Sequence, residues 1–196
     1  MLKPIKENIY LVEGKSNGRF PFCHSVLIRD RITALIETGC GREVLEEIQK
    51  KFSPDIVINS HGHPDHCAGA SIFPPDRLWG PEESKETTGN MRRMAERFVE
   101  PGLQRDWISL VNGAPELRDF TVENYFKDSH VFSLGETTLE AVYAPGHTVD
   151  HYCFYIPGEK IMLTTDIDFT SFGPWYGNPE SDMDTFIDSI KRVKNW

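Results

Sequence analysis

Apolar residues recur along this chain in two rhythms, and the change from one to the other divides it into strands and helices. Short runs that alternate or stay apolar between Gly, Pro and charged residues predict strands. In the first half they cover residues 5–12, 26–28, 32–36, 55–59 and 77–79. In the second half they cover 131–133, 138–143, 152–156 and 160–164. Three- and four-residue spacing appears at Val44, Leu45, Ile48 and Phe52, predicting a helix over 42–52 that Ser53-Pro54 stops. A second helix is expected to start at Ala68-Gly69-Ala70 and to end at Phe73-Pro74-Pro75. The same spacing returns at Met183, Phe186, Ile187, Ile190 and Val193, after a capping-box-like Ser181-x-x-Asp184.

Residues from about 82 to 126 keep a pattern of their own, read as a helical insertion in an otherwise single domain over 1–196. Met91, Met94, Ala95 and Phe98 share one helical face, Pro101-Gly102 breaks it, and Trp107, Ile108, Leu110 and Val111 form a second apolar cluster. The stripe is either ordinary core or a lid over a pocket. Phe169, Phe172, Trp175 and Tyr176 crowd a later Gly/Pro-rich loop and either line a pocket or pack the loop.

Composition narrows the class. The chain has 196 residues and a formal net charge of −9, so its average field repels phosphate backbones and anionic membrane surfaces. Nucleic-acid binding is therefore not expected. No apolar run approaches the roughly 18 residues that span a bilayer, and the first residues lack the apolar region of a signal peptide. Cys23, Cys40, Cys67 and Cys153 are scattered without a Cys-x-x-Cys pair, as in a cytoplasmic protein with reduced thiols. Cys67 is either a small packed side chain or a reactive thiol.

The densest chemistry is His61-Gly-His63-Pro-Asp65-His66, directly after the apolar run Ile56-Val57-Ile58. Imidazole nitrogen and carboxylate oxygen suit borderline first-row cations such as Zn²⁺. The residues therefore predict a metal site on a loop at a strand end. Pro145-Gly146-His147-Thr148 likewise follows a predicted strand, and Asp166 follows another.

His-x-His-x-Asp-His after a strand resembles the signature of the metallo-β-lactamase superfamily. Pro145-Gly146-His147-Thr148 is similar to that family's second metal motif, and Thr164-Thr165-Asp166 to its bridging-aspartate position. Ile36-Glu37-Thr38-Gly39 resembles its early Asp-Thr-Gly turn, with glutamate in place of aspartate. Glu37 is then either an acceptor behind the metal ligands or a turn cap. The resemblance implies an α+β fold, a four-layer αββα sandwich lacking its last strand. It also implies zinc, one or two ions with iron as the other candidate. His61, His63 and His147 would hold one ion, Asp65 and His66 the other, and Asp166 would bridge. Asp168 fits the bridging position less well.

Family members usually carry one more histidine on a final strand. None of the seven histidines of this chain lies beyond His151. The chain stops where the last strand would begin, as in a truncated or short member. The first site would be whole, whereas the second would retain Asp65, His66 and Asp166, with weak or absent occupancy expected. His151, four residues after His147, would stand behind the ligands or replace the missing one.

The resemblance implies a metal-dependent hydrolase acting on a small ester-like substrate: thioester, lactone, amide or phosphoester. Asp65 or a bound water would carry the proton to the leaving group. Two other readings stay open. One is a mononuclear non-haem iron dioxygenase of the persulfide dioxygenase type, using His61, His147 and Asp166. The other is a non-catalytic metal-binding member. The partner expected is a small-molecule substrate, with no nucleic acid and no membrane; the oligomeric state is left open.

Overall fold

The structure, a computed structural model, describes residues 2–169, 173 and 175–196. Its first sheet has seven strands in chain order: β1 (Leu2–Pro4), β2 (Ile9–Val12), β3 (Ser25–Arg29), β4 (Thr33–Ile36), β5 (Ile56–Ile58), β6 (Leu78–Pro81) and β7 (Asn124–Phe126). Pairing is antiparallel from β1 to β4 and parallel from β4 to β7. The second sheet is an antiparallel meander of β8 (Val131–Ser133), β9 (Thr138–Tyr143), β10 (Tyr152–Ile156) and β11 (Ile161–Leu163). Among the described residues a left-handed turn, α1 (Lys15–Gly18), and five α-helical segments accompany them: α2 (Arg42–Phe52), α3 (Pro64–Cys67), α4 (Met91–Phe98), α5 (Gln104–Gly113) and α6 (Met183–Lys194).

Period-two alternation sorts each strand's side chains into layers. Ile28, Ala34, Ile36 and Ile58 of the first sheet meet Leu139, Ala141, Tyr152, Phe154 and Ile156 of the second, forming the core between the sheets. Leu27, Leu35 and Val57 point the other way and are covered by Leu45 and Ile48 of α2. On the far side, Val142 and Cys153 of the second sheet are covered by Phe186 and Val193 of α6. Helix, sheet, sheet and helix thus stack as the αββα sandwich that the motifs imply. Among the described residues no strand follows α6.

Local differences from the sequence reading have physical causes. The strand expected over 5–12 is confined to Ile9–Val12, and a separate strand, Leu2–Pro4, precedes it, because the polar Lys6-Glu7-Asn8 stretch turns and Ile9 O accepts from the amides of Ile5 and Lys6. The helix expected after Gly69 begins earlier, within the histidine motif, and a 3₁₀ turn over Ala70–Ile72 follows it. At α6 the cap is Asp182, whose carboxylate accepts from Thr185 N at 2.7 Å. Ser181 donates instead to the carbonyl of His147 at 2.8 Å, so that hydroxyl ties the helix start to a loop.

The segment over 82–126 holds α4, α5 and the edge strand β7, whose Asn-Tyr-Phe sequence carries neither an apolar run nor an alternation. Met94, Phe98, Val111 and Leu117 pack with Cys67 and Ala68. The Met and aromatic stripe is therefore core, and that core lies directly against the end of α3. Truncating a side chain of the inter-sheet layer tests the packing. Phe154→Ala is expected to lose about 3–5 kcal/mol of unfolding free energy in urea denaturation, the usual range for a fully buried phenylalanine; a loss under about 1 kcal/mol would contradict it.

Candidate metal centre

Three loops at strand ends build the site. The first follows β5, where Pro64 occupies the first helical position of α3 and His63 before it is extended at φ −66° and ψ 143°. Proline favours that helical position and disfavours helical geometry in the residue before it. His63 is thus extended and His61 lies in the bend before it, while Asp65 and His66 lie on the helical turn. The loop is pinned from below. Asn59 Nδ2 donates to the His66 carbonyl at 2.7 Å and to Thr38 Oγ1 at 3.1 Å, and Thr38 N donates to the same carbonyl at 2.8 Å.

Glu37 is buried and holds a left-handed φ of 67°. Its Oε2 accepts from Asn59 Nδ2 and Ser60 N, both at 3.4 Å, and its Oε1 lies 3.5 Å from His66 Nδ1. Of the two roles open to it, the structure gives an acceptor behind the histidine loop.

The second loop follows β9. Gly146 sits at φ 119°, and a Cβ there would come within 2.4 Å of the backbone of Phe186 in α6. Glycine alone permits both the backbone angle and the close approach. Asp182 N and Ser189 Oγ donate to the carbonyls of Gly146 and Pro145 respectively, so α6 holds the loop that presents His147. The third loop follows β11 and turns at Thr165, φ 46°, to present Asp166.

These loops bring His61, His63, His147 and Asp166 together, with one donor atom from each lying within 4.8 Å of all the others. His63 Nδ1 is 3.0 Å from His61 Nε2 and 2.9 Å from His147 Nε2. Asp166 Oδ2 is 2.9 Å from His147 Nε2 and 3.6 Å from His61 Nε2. Its other oxygen, Oδ1, is 2.9 Å from His66 Nε2, and Asp65 Oδ2 lies 3.8 Å from that same nitrogen. One carboxylate therefore stands between two groups of donors.

The donor set fits a cation. Tetrahedral zinc with bonds of about 2.0–2.1 Å sets its nitrogens roughly 3.3 Å apart, a few tenths of an ångström beyond the spacing seen. Two of the three outer nitrogens are committed elsewhere: His147 Nδ1 donates to the Trp175 carbonyl at 2.6 Å, and His61 Nδ1 pairs with Ser60 Oγ at 2.9 Å, while His63 Nε2 is buried without a partner. A carbonyl only accepts, so His147 must carry a proton on Nδ1 and keep Nε2 for the interior.

Electrostatics favour the same reading. Burial, reinforced by the neighbouring imidazoles, holds His61 and His63 well below the usual histidine range, and hence neutral. Burial alone would raise Asp166, but His66 and the hydrogen bonds from His147 and His66 outweigh it and hold the carboxylate ionised. Burial also opposes charge on His147 and His66. Asp166 nevertheless raises the pKa of both, attracting to each a positive charge that a cation would supply instead. Burial raises Asp65 above the usual aspartate range.

His151 supplies no donor to the cluster. Its Nδ1 donates to the Ala144 carbonyl at 2.9 Å, while Nε2 faces Thr165 Oγ1 at 2.6 Å and Asp166 N at 3.3 Å. Burial and nearby His147 push its pKa down to about 4, so it is a neutral brace for the turn that presents Asp166. Burial also pushes the Cys67 thiol up beyond reach of ionisation, and its sulfur faces Gly62 O, which is packing rather than reactivity. In the aromatic loop, Phe169 and Tyr176 are exposed and Trp175 gives its carbonyl to His147; Phe172 lies outside the described residues.

Sequence reasoning does not single out Arg97, Asp150 or Glu180. Arg97 pairs with both carboxylates, and Asp150 also accepts from Gly62 N at 3.0 Å, between the two histidines. The only hint in the sequence is an arginine beside the apolar face of α4. The place of His151 is directly testable: His151→Ala should leave the number of ions bound at saturation unchanged and weaken affinity about 10–100-fold. Loss of one ion per chain by elemental analysis would make His151 a ligand.

Comparison with known proteins agrees with this geometry. The family model described as the Metallo-beta-lactamase superfamily matches residues 18–194. The chain is 35% identical over 180 residues to atrochrysone carboxyl ACP thioesterase dmxR1 of Cryptosporiopsis sp. (strain 8999), covering 84% of this chain and 45% of that protein. It is 24% identical over 174 residues to the probable hydroxyacylglutathione hydrolase glo2 of Schizosaccharomyces pombe (strain 972 / ATCC 24843), covering 83% and 54%. The chain thus spans about half the length of these two relatives. Among solved structures, the metallo-beta-lactamase from Pontibacter korlensis superposes with a TM-score of 0.66 at 18% identity, over 100% of this chain and 85% of that one. With the match running through all three loops, the chain belongs to the metallo-beta-lactamase superfamily.

Proposed function

We propose that the chain is a metal-dependent hydrolase that cleaves thioesters. The observation that carries this reading is the placement of Asp166, with one oxygen facing His61 and His147 and the other facing His66. His61, His63, His147 and Asp166 would hold one ion, and Asp65, His66 and Asp166 a second. A divalent cation there supplies a Lewis acid that polarises a carbonyl and lowers the pKa of water towards neutrality.

The protein's own groups do the rest. Asp65, its pKa raised by burial, is poised to take a proton from the attacking water and pass it to the departing group. A thiolate leaves readily because its conjugate acid has a pKa of about 8.5, so one weak proton carrier suffices. No cysteine nucleophile competes, since all four cysteines are buried and unpaired thiols. Two relatives support the thioester class by their names, one an ACP thioesterase and one a hydrolase of acylated glutathione. A phosphoester would bring further negative charge to a chain that already carries −9. No helix among the described residues is long and apolar enough to cross a membrane.

Four measurements test the proposal. Acyl-thioester hydrolysis by the purified chain is expected to stop on chelation and return with zinc, whereas activity that survives a chelator would overturn it. Asp166→Ala is expected to lower kcat/KM by at least about a hundredfold, the upper end of what disturbing the partners of metal ligands costs. Elemental analysis gives the other decisive outcome: iron alone, at one per chain, would favour the dioxygenase chemistry instead. In a zinc titration the four-donor set is expected to fill before the three-donor set.

A further inference from the structure

We infer that Arg97, on a helix that supplies no metal donor, is a positioning residue that sets the spacing of His61 and His63. This rests on the metal reading above. The peptide between those two histidines belongs to Gly62, whose N–H donates to Asp150 Oδ2 at 3.0 Å. Asp150 is fully buried, and the cation it meets is the Arg97 guanidinium, through Nη1 at 3.2 Å and through a shorter contact from Nη2. Arg97 also grips Glu180 with Nε and Nη2, both at 2.7 Å, and its side chain is only 10% exposed.

The chain of contacts runs from α4 through Asp150 to the backbone of the histidine loop. A Cβ at Gly62 would meet Thr88 Oγ1 at 3.0 Å and Arg97 Nη1 at 3.1 Å, so the peptide lies close against this network. Phe98, the next residue, packs its ring on His63 with centroids 4.8 Å apart. Consecutive residues of one helix thus brace the loop at two points. Removing the guanidinium would leave Asp150 buried without a countercharge, and a carboxylate in that state must move, hydrate or protonate. Each response disturbs its bond to Gly62 N and so the angle between the two imidazoles. Glu180 stands just before the Asp182 cap of α6, so the same cation also secures the segment that leads into that helix.

The test is cobalt(II) titration of the full chain and its Arg97→Met and Arg97→Lys variants, followed by visible ligand-field absorption. Each is measured where circular dichroism shows the metal-free protein folded. Arg97→Met is expected to weaken cobalt affinity about 10–100-fold and to shift the absorption band. Arg97→Lys, which keeps the charge but not the fork, is expected to fall between it and the parent. Arg92→Met, at an exposed position of the same helix, should match the parent. A merely structural role would lower the melting temperature and leave the affinity and band of the folded protein unchanged, and that result overturns the inference. If Arg97→Met does not fold, parent affinity and spectrum in Arg97→Lys overturn it. A parent chain that takes up no cobalt overturns the metal reading itself, and this inference with it.

Discussion

Several imidazoles and a carboxylate packed into one small, largely dry volume are poor neighbours unless a cation shares them. The remainder of the fold is arranged to hold them there. The two sheets meet face to face through Ile36, Ile58, Tyr152 and Phe154, and that contact brings the end of β5 in one sheet beside the ends of β9 and β11 in the other. No single strand or helix carries the site. Its donors are joined only because the inter-sheet core fixes the distance between loops that lie far apart in the sequence, as His61 and Asp166 do.

Around this rim the polypeptide supplies several independent restraints. Thr38 and Asn59 gather the His66 carbonyl, Ser181 and Ser189 fasten the His147 loop to α6, and His151 braces the Asp166 turn. Each uses a different element of the fold. The arrangement suits a site whose donors must stay in place before any ion arrives, since donors positioned by folding need little rearrangement on binding.

Much of this was legible in the sequence because the donor side chains of the candidate site are mostly local. His61, His63, Asp65 and His66 lie within one short motif, and strand periodicity placed the loops that carry His147 and Asp166. Layering followed from alternation, as at Val57 against Ile58. What escaped was of another kind. Strand β7 has three residues and owes its extended form to pairing with β6. The roles of Arg97, Asp150 and Glu180 depend on partners 53 and 83 positions apart, and no spacing rule reaches so far. Asp182 takes the capping role expected of Ser181 because either can cap a helix, and only the nearby His147 carbonyl decides between them.

One hydrogen bond separates two tasks that a side chain would have coupled. Trp175 accepts the hydrogen bond from His147 Nδ1 on its main-chain oxygen, while its indole stays 53% exposed. Every amino acid has that oxygen. Position 175 can therefore exchange one side chain for another, and so alter what the rim meets, without changing which tautomer the imidazole presents to the interior. Surface character and imidazole tautomer are thereby assigned to different atoms of one residue.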